Sequence, residues 1–332
     1  MRWTSRLTVR LPEGDRFLFR RRPSAGIDRS FGDERLAALR AAAREGAGQW
    51  PRIRAALDRA ADAEDLTFLV EGLRTIAGLE RWIGDVVAAE PGDAMPLLVS
   101  GARHVGWAWH ARTGPAADQV SDEQWARFRG RLEIAEEQLL AAAEAASSWA
   151  APWYFLQVTG RGLESGPEIA GQRFAAACRR APGHLAAHRE RLQQLSPKWG
   201  GSREGMHAFA RRSMLAAPIG SPLGELVATG YLEEWLERGG DPESVFMGGG
   251  PVLRALHEAA DRSVRHRAFV RRRDWPQTFN TFAMAFALAG DNAAARPLFR
   301  ALGNRATEMP WRHLDPRSPL VAFLEWRSRV NR

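Results

Sequence analysis

The sequence predicts an all-α protein, a right-handed α-solenoid of antiparallel tetratricopeptide-like helix pairs that runs from about residue 33 to residue 332. Three observations carry that expectation. Alanine, leucine and arginine dominate the composition, and all three rank among the best helix formers. Beyond residue 32 apolar residues recur at intervals of three and four, and no period-two alternation interrupts them. A 34-residue pattern of small and aromatic positions can be laid on the chain twice.

The first 32 residues stand apart. "MRWTSRLTVRLPEGDRFLFRRRPSAG" is basic, holds no sustained period and ends in Pro23 and Gly26, which reads as a disordered arm. The short alternations "RLTVRL" and "RFLFR" leave a hairpin around "PEG" as the alternative. Helices follow in close succession. Leu36, Leu39 and Ala43 mark the first face; Ile53, Leu57 and Ala60 mark the second, after Trp50 and a proline suited to a first helical turn. Segments at about 64–76, 79–89 and 94–112 come next. The helix opening at "VSDEQW" has Ser121 and Gln124 placed for a capping box, acidic residues at its positive end, and Trp125, Phe128, Leu132, Ala135 and Leu139 along one face. Further helices are expected at 150–162, 167–181, 183–195, 203–216, 222–238, 251–263, 276–289, 292–303 and 317–329. Their connections are short and rich in Gly, Pro, Ser and Asp, which makes neighbours antiparallel.

The repeat gives these helices an order. In "TFNTFAMAFALAGDNAAARPLFRALGNRATEMPW" the tetratricopeptide register falls on Phe279, Phe282, Ala283, Phe286, Gly290, Ala295, Phe299 and Leu302, with the closing proline late at Pro310. In "PWYFLQVTGRGLESGPEIAGQRFAAACRRAP" it falls on Trp153, Leu156, Gly160, Ala170, Phe174, Ala177 and Pro182, with one residue inserted. Small residues let two helices approach, and the aromatics fill the groove to the next pair.

The stretches "GARHVGWAWHARTGPAADQVSDEQWARFRGRLEIAEEQLLAAA", "HLAAHRERLQQLSPKWGGSREGMHAFAR" and "FRALGNRATEMPW" resemble an uncharacterised bacterial family, the domain of unknown function DUF4034, over roughly residues 50 to 312. The resemblance implies a helical, tetratricopeptide-like body and carries over no catalytic residue.

The formal charge of +8 is concentrated at the start: the first 30 residues hold eight arginines against three acids, which leaves a surplus of three for all the rest. The later helices mix both signs, as in "LEIAEEQLLAAAE", so a polyanion-binding face is not expected in the body. Cys178 is the only cysteine, which excludes an internal disulfide framework and a Cys-rich zinc site. No apolar run reaches the length of a membrane span or of a signal-peptide core, and a cytoplasmic protein is expected. Walker-type, dinucleotide, HExxH, GxSxG and CxxC signatures are absent, so no cofactor, metal or catalytic residue is assigned.

A few places could carry binding chemistry. "LSPKWGGS" holds the only lysine of the chain, Lys198, beside Trp199. Pro197 ends the preceding helix, Gly200 and Gly201 allow a sharp reversal, and Ser202 is placed to cap the next helix. The Lys198 ammonium could bond the last carbonyls of the helix before it or contact a ligand. In "HLAAH", His184 and His188 share a helical face, with His207 on the following helix; the spacing can hold a metal, but no carboxylate or cysteine completes a signature. "RHVGWAWHAR" offers Trp109 and Arg112 to a groove, with Trp107 on a different face. The expected function is a scaffold or adaptor that binds a peptide or protein partner. The alternative is a small-molecule-binding protein or atypical enzyme with a site around Lys198, His188 and His207.

Overall fold

The computed structural model describes residues 26–112 and 121–332, without the side chains of residues 111 and 112. Most of the expected basic arm, residues 1–25, lies outside the described residues, and so does the Arg112 side chain. The described residues form fifteen α-helices and no strand.

The first are α1 (Glu34–Glu45), α2 (Trp50–Leu57), α3 (Ala63–Arg74), α4 (Ile83–Ala89) and α5 (Ala94–Arg112). The middle of the chain holds α6 (Asp122–Ala145), α7 (Ala151–Gly162), α8 (Gly166–Arg180), α9 (Leu185–Gln194) and α10 (Arg203–Ala216). The last are α11 (Glu225–Glu237), α12 (Gly250–Arg262), α13 (Trp275–Leu288), α14 (Asn292–Leu302) and α15 (Pro319–Val330). The sequence-based boundaries agree closely with these. The stretch at 79–89 is divided, a 3₁₀ turn at Leu79–Arg81 preceding α4.

Local chemistry sets where the helices begin. Asp33, Asp62, Ser202 and Asp291 each accept a backbone N–H of the first turn, and Ser121 with Gln124 closes the expected capping box. Proline occupies the first turn of α2, α7, α8, α12, α13 and α15, where its missing N–H costs no helical bond.

Packing follows chain order. Helix α5 packs on α7, α7 on α9, α9 on α11 and α11 on α13. Each of α6, α8, α10 and α12 packs on the helix before it and the helix after it, and α14 packs on α13 and α15. Of the residues in the 34-residue pattern, α7 and α8 bury Leu156, Gly160 and Ala177 and leave Trp153, Ala170 and Phe174 half-buried, whereas α13 and α14 bury Phe279, Phe282, Ala283, Phe286, Ala295, Phe299 and Leu302, and Gly290 between them is exposed. A phenylalanine sealed in this way contributes on the order of 3 kcal/mol of apolar transfer energy. One core holds α1 to α9 and another α9 to α15, with Phe174 of α8 packed against both.

Helix α3 departs from this succession. It packs on α5, α7 and α9 together, and its first turn reaches the residues just before α13. Arg273 donates to both Asp62 and Glu64 (3.1 Å to the latter), and Arg29 reaches Glu308 at 3.3 Å. Residues 28–33 form a turn in which Asp28 accepts the N–H groups of Ser30 and Gly32, and Phe31 lies against Phe68. The early and late thirds of the chain are thereby joined, with a cavity between them. No helix among the described residues is long and apolar enough to cross a membrane.

Candidate functional site, a charged cavity

The cavity has a volume of about 1040 Å³. Its walls come from α1, α3, α5, α7, α9, α11, α13 and the segments flanking α13, and eight arginines and eight carboxylates line it. The two signs are therefore present in equal number along its walls.

Its wall on the α9 side is an ion-pair lattice. Arg189, four residues beyond Leu185 and so on the apolar face of α9, donates to both oxygens of Glu225 at 3.0 and 2.6 Å and also to Asp274. Thr278 donates to the same Glu225 at 2.6 Å. Burial opposes the Arg189 charge, but Asp274 and Glu225 outweigh it and hold the guanidinium protonated beyond its ordinary range. Glu64 accepts the Leu185 N–H at 2.8 Å as well as Arg273; burial pushes its carboxyl above the usual carboxylate range. Tyr154 donates to Glu71, which also pairs with Arg74, and burial raises the phenol well above its ordinary value.

The corner formed by α1, α3 and α5 differs. Arg40, four residues after Leu36, is 6% exposed and among the described residues donates only to neutral acceptors: the Gly72 carbonyl and the Thr75 hydroxyl, the latter at 2.9 Å. Burial, followed by the charges of Arg44 and Arg29, lowers its pKa to about 10. The corner is tight because a Cβ on Gly106 of α5 would fall 2.1 Å from the Arg74 carbonyl oxygen; only glycine lets α5 lie this close to the end of α3.

The residues singled out from the sequence fall in three places. Trp109 lines the cavity. Trp199 stands behind it, edge to face at 6.2 Å, and the Arg161 guanidinium lies 4.7 and 4.9 Å from the two indole centres. Arg161 in turn holds the cavity carboxylate Glu190 at 2.5 and 3.2 Å. The tryptophans thus clamp the arginine that orients Glu190.

Lys198 sits in a 3₁₀ turn, Pro197–Trp199. Its ammonium goes to Glu233 of α11 at 2.6 Å, while Gln193 donates to the other carboxylate oxygen at 2.6 Å. The helix-capping contact open to it in the sequence gives way to this longer-range pair, because Glu233 is nearly buried and needs a counter-charge. Gly200 has φ +83° and Ser202 caps α10, as expected. Gly201 serves by close approach, since a Cβ there would strike the Leu195 backbone at 2.1 Å.

The histidines do not converge. His188 is packed between Phe174 and Phe209, and its Nδ1 donates to the His184 carbonyl at 2.9 Å. His207 pairs with Glu234 at 2.8 Å and lies on Tyr231. His184 is the N-cap of α9: its Nδ1 accepts the Ala187 N–H at 3.1 Å, so the proton sits on Nε2 and is given to Thr67 Oγ1 at 2.8 Å. Burial first, then the neighbouring His188, lowers the His184 pKa to about 4. No group of three or more metal-ligating side chains occurs among the described residues. Burial also raises the Cys178 thiol to about 11, which leaves it protonated and unreactive at neutral pH.

No family model and no curated protein matches this chain.

Reading along the sequence did not single out Arg40, Arg189, Arg273 or Glu225. A signal was present for the first two. Each is a charged residue four positions after a leucine, on the face of its helix that otherwise reads as core.

Proposed function

We propose that this chain is a helical-repeat binding protein, a right-handed α-solenoid of tetratricopeptide-like helix pairs of the kind its resemblance to DUF4034 implies, whose cavity holds a short peptide segment of a partner protein. The observation that carries the reading is the charge balance of the cavity, eight arginines against eight carboxylates. A peptide bearing both signs can exchange partners with such a wall, whereas a polyanion would meet eight carboxylates and a polycation eight arginines. Threonines and glutamines such as Thr229, Thr281 and Gln277 offer hydrogen bonds to peptide groups, and half-exposed Val270 and Met309 give an apolar lip. A cytoplasmic scaffold or adaptor role belongs to the same proposal.

A small polar molecule is the second reading, with an atypical enzyme as its extreme. It draws on the ion pairs Arg29–Glu308 and Arg273–Asp62, which tie opposite walls together. Enclosure of that kind suits a compact ligand better than a through-running chain.

Fluorescence anisotropy tests the first reading. A labelled pool of hexapeptides built from Leu, Thr, Arg and Glu is titrated beside oligo-glutamate, oligo-arginine and single-stranded DNA. The mixed pool should bind, and the single-sign polymers should not compete with it. Equal or tighter binding of DNA would remove the peptide reading.

A further inference from the structure

We propose that the cavity contains an oxyanion subsite at Arg40, which takes a carboxylate or phosphate group of the bound ligand. The inference rests on the reading of the cavity as the binding site, and it names the chemistry of one end of that site.

Most charges of the cavity already have a partner in its walls. Seven of its eight carboxylates sit in ion pairs, and the eighth, Asp28, is occupied by the Ser30 and Gly32 N–H groups at 2.8 and 2.7 Å. Six of the eight arginines have a carboxylate within ion-pair distance. Of the other two, Arg272 is exposed to solvent. Arg40 alone of the eight is both buried and without a carboxylate within ion-pair distance among the described residues.

Its geometry leaves half of the guanidinium unused. Nη1 makes both hydrogen bonds, to the Gly72 carbonyl and Thr75 Oγ1, whereas Nε and Nη2 donate to no group among the described residues. Nε and Nη2 form the side-on fork that matches the two oxygens of a carboxylate or phosphate. The carbonyls ending α3 offset part of the charge through the helix dipole, but they lie on the Nη1 side. Arg44 and Arg29 add positive potential to the corner, and Asp28 subtracts from it. An anion entering the cavity therefore meets one unneutralised, largely desolvated cation, in surroundings where a charge-assisted bond is strong.

The test uses the full chain at fixed ionic strength in chloride buffer. The probes are the mixed hexapeptide pool with free C-terminal carboxylates, the same pool amidated, and inorganic phosphate, each titrated by calorimetry into wild type and Arg40→Gln. The free-acid pool should bind wild type about tenfold or more tightly than the amide, and Arg40→Gln should erase that difference. Free-acid and amide pools binding alike to both proteins would overturn the subsite while leaving the peptide reading intact. Phosphate binding that is lost in Arg40→Gln, with neither pool bound, would keep the subsite, assign it to a phosphoryl ligand and remove the peptide reading. No binding of any probe to wild type would overturn both. If Arg40→Gln does not fold, selenate soaked into crystals of the unaltered chain decides the matter. An anomalous peak within hydrogen-bond distance of Arg40 Nε or Nη2 supports the subsite, and an empty position there overturns it.

Discussion

The α9 wall and the α1–α3–α5 corner of the cavity each place an arginine on the apolar face of a helix, Arg189 half-buried and Arg40 buried, and they meet its cost in opposite ways. Arg189 is enclosed by Glu225 and Asp274. Arg40 is given a carbonyl and a hydroxyl. A matched buried charge belongs to the architecture: removing either partner strands the other. An unmatched one keeps its charge available to whatever enters the cavity. Identical side chains at equivalent helical positions thus serve different purposes, and the difference lies wholly in what faces them.

That contrast can be broken most directly at Arg189. Arg189→Leu leaves Glu225, nearly inaccessible, without its counter-charge, and should cost about 3–5 kcal/mol in urea unfolding. Adding Glu225→Leu should restore much of the loss, since the orphaned carboxylate is then removed as well. A single-variant loss below about 1 kcal/mol would show that the lattice is not structural.

His184, at the start of the same wall, sharpens the comparison, because there the fold buries a titratable group without any charge. Its folded pKa of about 4 lies below the ordinary histidine value of about 6.5. Between those two values the unfolded chain takes up a proton that the folded chain refuses, so stability falls as pH drops from about 6.5 to 4. The contribution amounts to about 3 kcal/mol at most. Above that window both states are neutral and the group adds no slope. His184→Asn keeps an N-cap acceptor and should flatten this part of the stability–pH curve. An unchanged slope would assign it to other groups.

Smaller effects test the remaining members. Lys198→Ala breaks a half-exposed pair with Glu233 and should cost about 1 kcal/mol or less in thermal melts. Arg40→Gln should change stability least, by about 0.5 kcal/mol in either direction, because lost hydrogen bonds and relieved desolvation nearly cancel. A loss as large as that of Arg189→Leu would erase the distinction between wall and corner.

Local features were legible in the sequence because their causes are local. Ser121 and Gln124 lie three residues apart, Ser202 follows two glycines, and Phe279 to Leu302 fall on two successive helices that pack on each other. The site was much less legible. Arg189 meets Glu225 and Asp274 at separations of 36 and 85 residues, which no window along the chain connects. His184 shows the same limit from the other side. The spacing of "HLAAH" suggested a shared ligand face, but the helix begins at Leu185, two residues after the expected start at 183, so His184 becomes a cap while His188 turns into the core. A shift of two residues at a helix start decides between those roles, and that precision exceeds what periodicity supplies.

The ties between Arg273 and Asp62, and between Arg29 and Glu308, join positions more than two hundred residues apart. A stack of helices with free ends can gain or lose a unit at little geometric cost. Here the two sides are tied to each other. One additional helix pair between residues 65 and 272 would move them apart by about 10 Å, the width of a packed helix and several times the reach of an ion pair. An insertion of that size would therefore break both ties, so the span between these residues is matched to the contacts at its two ends.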